Sequence, residues 1–153
     1  MRTRTRFLTN EAATRALGQA IGEACEAGTT ISLEGDLGAG KTTLATGIGA
    51  ALGHHEVCSP TFVLVQAHEN GVLPLWHADL YRLDDEADLE MLDLDALMGS
   101  GGVVLMEWAN KFDVLPEDHL VVCLSDAPGG RHAVLSATGP RHMALLKRME
   151  SSG

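Results

Sequence analysis

A chain of 153 residues, 45% of them hydrophobic, with a formal net charge of −10, has the length of one domain (1–153) and enough apolar side chain for a core. No apolar run reaches the roughly 20 residues of a membrane-crossing helix, and no apolar stretch follows the basic start Met1 to Phe7 as in a secretory leader. The acidic balance argues against a protein that grips nucleic acid unaided, and Cys25, Cys58 and Cys123, widely spaced and odd in number, suit a reducing cytoplasm better than a metal or disulfide framework.

Residues 3–8 read as a short strand, with Arg2, Arg4 and Arg6 lining one side as on an edge strand. Thr9 or Asn10 caps a helix with Glu11 in its first turn. Ala13, Ala16, Leu17, Ala20, Ile21 and Ala24 form its apolar stripe, and Gly28 is its stop. Thr30 to Glu34, apolar and β-branched, is a buried strand. It runs into Gly35-Asp36-Leu37-Gly38-Ala39-Gly40-Lys41-Thr42, which meets the Walker A pattern G-x-x-x-x-G-K-[ST] at every fixed position. A helix follows, with Leu44, Ile48, Ala51 and Leu52 at helical spacing up to Gly53. Strand, glycine loop and helix are the context the motif requires. Glycines let successive N–H groups turn inward, and with the helix N-terminus these make a nest for phosphate. Lys41 would reach the β- and γ-phosphates and the Thr42 hydroxyl would bind Mg²⁺.

His54 and His55 open a loop and have no third ligand at a metal spacing, so they read as solvated. Residues 62–68 form a strand, Asn70-Gly71 a hairpin turn, and 72–79 the return strand, with Pro74 marking an edge or a bulge. The acidic stretch 84–98 interleaves leucines and reads as one or two amphipathic helices; the spacing of a calcium loop is missing. Residues 103–108 form another buried strand. Strands 120–124 and 132–137 flank a second hairpin at Asp126 to Gly130, and 143–149 is a terminal helix. The order predicts a mixed α/β sheet with helices on its faces.

A P-loop binds nucleotide, but hydrolysis needs carboxylates near the metal and the attacking water. Asp79 and Glu107 end expected strands, where ligands sit in α/β sheets. Either could hold Mg²⁺ or orient water. Ser59 and Thr61 lie on a proline loop of the kind that senses a γ-phosphate.

Four blocks in this order resemble one family: Gly-Asp-Leu-Gly-Ala-Gly-Lys-Thr-Thr (35–43), Ser-Pro-Thr-Phe (59–62), His-x-Asp-x-Tyr-Arg-Leu (77–83) and Glu-Trp (107–108). The chain is similar to the bacterial TsaE (YjeE) ATPases of tRNA threonylcarbamoyladenosine synthesis. The resemblance implies a three-layer, P-loop NTPase-like fold, with a central parallel sheet flanked by antiparallel strands and helices on both faces. It implies binding of ATP or ADP with Mg²⁺ and slow ATP hydrolysis. It also implies action with the TsaD and TsaB proteins on adenosine 37 of tRNAs reading codons that begin with A, the tRNA being met through the complex. By this resemblance the loop residues Asp36, Leu37, Gly38, Ala39, Gly40, Lys41, Thr42 and Thr43 hold the nucleotide. Lys41 contacts phosphate, Thr42 and Glu107 hold Mg²⁺, Asp79 is the water-orienting carboxylate and Trp108 lies near the nucleotide. Thr9 and Arg131 align with nucleotide-contacting positions.

Three other readings compete. Asn110-Lys111-Phe112-Asp113 matches the N-K-x-D pattern that reads guanine in GTPases, but Arg82 stands where the glycine of D-x-x-G would follow Asp79. A small-molecule kinase needs a basic lid, and Arg82 and Lys111 are the only Lys or Arg between residues 43 and 130. A nucleotide-dependent assembly factor would use ATP to order residues 59–62 and present a partner-binding face.

Overall fold

The computed structural model describes residues 2–35, 40–54, 65–68, 73–80, 96, 98–99, 101–109 and 114–151. Its elements are β1 (Arg2–Leu8), α1 (Glu11–Ala24), β2 (Thr30–Gly35), α2 (Lys41–Ala51), β3 (Val65–His68), β4 (Leu75–Asp79), β5 (Val103–Glu107), β6 (Leu120–Ala127), β7 (Gly130–Ala137) and α3 (Pro140–Ser151). The strands form one seven-stranded sheet in the order β1-β7-β6-β2-β5-β4-β3. Strands β6, β2, β5 and β4 run parallel. Antiparallel wings flank them: β3 beside β4, and β7 then β1 beside β6. The arginine-bearing strand is an edge strand, and Arg2 and Arg4 pair with Glu150 of α3.

Patterning follows coverage. Thr30 to Leu33 of β2 are all buried because both sheet faces are covered there, whereas β6 and β7 largely alternate because one of their faces is open. The larger core lies between the sheet and α1, α2 and α3, where Ile31, Leu33, Leu105 and Val122 meet Ile21, Ile48 and Leu146. On the opposite face Ala78, Leu80, Val104, Met106 and Ala109 form a second core, joined by Trp76, Met98 and Trp108. Met98 is helical and ends the stretch expected to be amphipathic. Helices α1 and α2 cross at close range. A Cβ on Gly18 would lie 2.3 Å from the Leu44 carbonyl oxygen, and one on Gly47 would lie 2.3 Å from that of Arg15.

Of the two caps expected for α1 one serves, and several boundaries differ from expectation. Asn10 is the cap of α1, accepting from the Ala13 N–H at 2.8 Å. The helix stops at Ala24 rather than at Gly28. Cys25 is already extended, its N–H bonding the Gly22 carbonyl, and Thr29 closes a tight turn onto Glu26. Pro74 precedes β4 instead of lying within it; its carbonyl accepts the Val103 N–H at 2.8 Å. The second hairpin is tighter than expected. Ala127 pairs with Gly130, leaving Pro128 and Gly129 as the turn, with Gly129 at φ +81°. Helix α3 starts at Pro140, three residues early. Its N-terminus is capped from a distance by Asp118, whose carboxylate accepts from the N–H groups of Arg141 (2.8 Å) and His142 (3.2 Å). No described helix is long and apolar enough to cross a membrane. His54, expected to be solvated, is buried, with Nε2 2.7 Å from the Leu73 carbonyl oxygen. The Asn70-Gly71 turn, His55, Cys58 and most of the acidic stretch lie outside the described residues.

Candidate functional site

The C-terminal ends of the parallel strands come together: Gly35 ends β2, Asp79 ends β4 and Glu107 ends β5. Gly40 precedes α2 at φ +101°, a conformation that disfavours any side chain. A Cβ there would also lie 2.6 Å from Arg131 Nη1. Gly40 supplies no side-chain cap to α2, and the first turn of α2 holds no acid. The positive end of this helix, with neither among the described residues, would favour an anion. Helix α1 contrasts with it, having both the Asn10 cap and Glu11.

Lys41, the first residue of α2, is 6% exposed. Its Nζ lies 4.3 Å from the centre of the Trp108 ring, a cation–π contact. Trp108 follows β5 at φ +62°, where a bulky residue carries backbone strain. That sharp turn sets the ring beside the lysine.

The two carboxylates stand side by side, Asp79 in register with Glu107, and Glu107 in turn with Leu33 of β2. Alternation along the strands puts Leu75, His77 and Asp79 on one face, and likewise Val103, Leu105 and Glu107. Leu75, Val103 and Leu105 belong to the core beneath α1 and α2, so both carboxylates project on the α2 side of the sheet. Asp79 is half-buried; Glu107 is buried, and its Oε2 lies 2.8 Å from Nε2 of the buried His77. A carboxylate and a hydroxyl are the hard oxygen donors that suit Mg²⁺. His77 meets only Oε2, so Glu107 has a second oxygen to offer, and Thr42 is exposed in the first turn of α2. Among the described residues no group of three or more His, Cys, Asp or Glu side chains is arranged to hold a metal. A cation held by Glu107 and Thr42 would need further oxygen ligands, such as water or phosphate, to complete its shell.

The structure also gathers residues that are far apart in the chain. Arg131 lies in register with Leu8, immediately before Thr9, and its guanidinium sits against Gly40. Arg131 Nε is 3.7 Å from Asp126 Oδ1. Thr43 Oγ1 donates to Glu11 Oε1 at 3.3 Å, tying α2 to the start of α1. Asp36, Leu37, Gly38 and Ala39 of the loop, Ser59 to Phe62, and Asn110 to Asp113 lie outside the described residues. Sequence reasoning gave His77 no role of its own. The available signal was its two-residue spacing from Asp79, which puts both on one strand face.

Comparison with known proteins gives the family and the fold. The family model described as "Threonylcarbamoyl adenosine biosynthesis protein TsaE" matches residues 8–133. A relative from Bacillus subtilis (strain 168), named tRNA threonylcarbamoyladenosine biosynthesis protein TsaE, is 36% identical over 143 residues, covering 92% of this chain and 89% of its own. A relative of the same name from Mycobacterium leprae is 42% identical over 122 residues, covering 72% and 75%. The crystal structure of Bacillus subtilis YdiB superimposes with a TM-score of 0.86 at 29% identity, over 99% of this chain and 96% of that one.

Proposed function

Because the chain belongs to the TsaE family of threonylcarbamoyl adenosine biosynthesis proteins, we propose that it is a slow, Mg²⁺-dependent ATPase. It acts with TsaD and TsaB, in the cytoplasm, in the threonylcarbamoyl modification of adenosine 37 in tRNAs reading codons that begin with A. The observation that carries the reading is the meeting of an uncapped P-loop helix with two strand-end carboxylates on the same side of the sheet. In this reading the N–H groups of the loop, Asp36 to Gly40, and of Thr42 and Thr43 cradle the phosphates of ATP or ADP. Lys41 exchanges the Trp108 ring for a phosphate oxygen. Thr42 and Glu107 would hold Mg²⁺, which when bound neutralises charge on the phosphate oxygens. Asp79 orients the attacking water and accepts its proton. Arg131, against Gly40, supplies a second positive charge at the loop, and Thr9 lies at the same corner.

Little else basic serves the site: Arg82 and Lys111 are the only Lys or Arg from residue 43 to 130. Transition-state charge is thus weakly compensated by the chain alone, and turnover should rise when partners bind. Two variants separate the roles. Lys41→Ala should weaken nucleotide binding by roughly 10–100-fold, the value of a charge-assisted hydrogen bond. Asp79→Ala should bind nearly as wild type yet lose about 100-fold or more in turnover. Calorimetric titration with a non-hydrolysable ATP analogue, beside phosphate release, checks both. Equal loss of binding in the two variants would remove Asp79 from its catalytic role.

A further inference from the structure

The nucleotide chemistry above leaves the imidazole of His77 without a task. It is fully buried in β4, and its Nε2 reaches Glu107 Oε2 at 2.8 Å across the parallel β4–β5 pair. Its Nδ1, also buried, finds no hydrogen-bond partner among the described residues. An unpaired buried polar atom costs on the order of 1–3 kcal/mol. A leucine or phenylalanine would fill the space without that cost, so packing does not account for a histidine here.

The backbone of Glu107 is already fixed. It pairs with β2 on one side and β4 on the other, and its carbonyl accepts the Leu80 N–H at 3.0 Å. The side chain retains its rotations, and among the described residues His77 is the partner that restrains them. We propose that His77 is the positioning residue of Glu107. It donates Nε2–H to one carboxylate oxygen, leaving Nδ1 as the bare nitrogen, and so directs the other oxygen toward the cation shared with Thr42. This rests on the reading of Glu107 as a Mg²⁺ ligand. Groups that orient a metal ligand ordinarily matter to metal affinity while touching neither metal nor substrate. Nucleotide binding without metal, which depends on the loop and Lys41, should not feel His77.

The test is ADP affinity by calorimetry, with Mg²⁺ and with EDTA, for wild type, His77→Gln and His77→Met, with thermal melts to verify folding. Wild type should bind more tightly with Mg²⁺. The glutamine variant, whose amide can donate from a similar place, should keep most of that increment. The methionine variant, of similar length but without a donor, should lose most of it, as removal of such partners costs about 10–100-fold in metal affinity; its affinity in EDTA should be unchanged. An undiminished Mg²⁺ increment in His77→Met overturns the proposal. If that variant does not fold, histidine-ring NMR of the wild type decides. A protonated Nε2 that shifts when Mg²⁺ joins the ADP complex supports the proposal; a proton on Nδ1, or indifference to Mg²⁺, overturns it. A wild type with no Mg²⁺ increment would instead overturn the nucleotide–metal reading, and the proposal with it.

Discussion

The ammonium of Lys41 rests 4.3 Å from the centre of the Trp108 ring, and a bound phosphate would compete with that ring for it. The cation–π contact is worth about 0.5–2 kcal/mol, less than a charge-assisted bond to phosphate, so nucleotide should win. Trp108 emission should therefore change on adding ADP. A Trp76→Phe background isolates this signal, since the chain has two tryptophans. The same titration in Lys41→Met should give a much smaller change; an equal change would mean that the ring senses something other than the lysine. Cys25 takes no part in such chemistry. Burial pushes its thiol up to about 12, so it should be inert to thiol reagents near neutral pH in the folded chain.

Helices α1 and α2 meet through glycines, and their crossing holds the P-loop helix against the sheet. In Gly18→Ala the new Cβ would press on backbone, 2.3 Å from the Leu44 oxygen. The helices must part, and overpacking of this kind costs about 1–3 kcal/mol. The melting temperature should fall by several degrees; an unchanged value would mean the crossing is looser than described. Helix α3 is pinned differently. His142 Nε2 accepts the Thr30 N–H at 3.0 Å while Nδ1–H donates to Asp118 at 2.7 Å. Burial, with Asp118 only partly opposing it, holds His142 below the ordinary 6.5. Burial alone would raise Asp118, but its bonds from the His142 ring and the N–H groups of Arg141 and His142 outweigh that and hold it below 3.8. Both folded values are depressed, so the unfolded chain binds more protons as acid is added. Stability from His142 is complete above about 6.5 and is lost as pH falls below it; Asp118 adds a second loss below about 3.8. His142→Gln cannot titrate there and should abolish the upper part of the acid loss in melting temperature. A wild-type melting temperature that stays flat as the pH falls below 6.5 would contradict this.

At the scale of the whole molecule, local signals were the legible ones. The P-loop strand and helix, the arginine edge strand and the carboxylates at Asp79 and Glu107 follow from spacing, alternation and glycine placement. Strand order does not. Nothing near Leu33 announces that it lies beside Glu107, or that Gly40 meets Arg131 from a strand some ninety residues on. The start of α3 is hidden for the same reason: its cap, Asp118, lies 23 residues before Arg141. His77 is likewise illegible in the sequence, because the value of a buried histidine depends on a neighbour supplied by parallel pairing. The tertiary partners, rather than the motifs, are what the fold adds to the site.

The most direct test of the whole reading is phosphate release from ATP and from GTP by the purified chain with Mg²⁺, alone and after TsaD and TsaB are added. ATP-selective turnover that is slow alone and rises with both partners is the expected result. It would leave Asn110-Lys111-Phe112-Asp113 as a chance match. A preference for GTP, or turnover indifferent to those partners, would contradict an accessory ATPase and return the GTPase reading to the front.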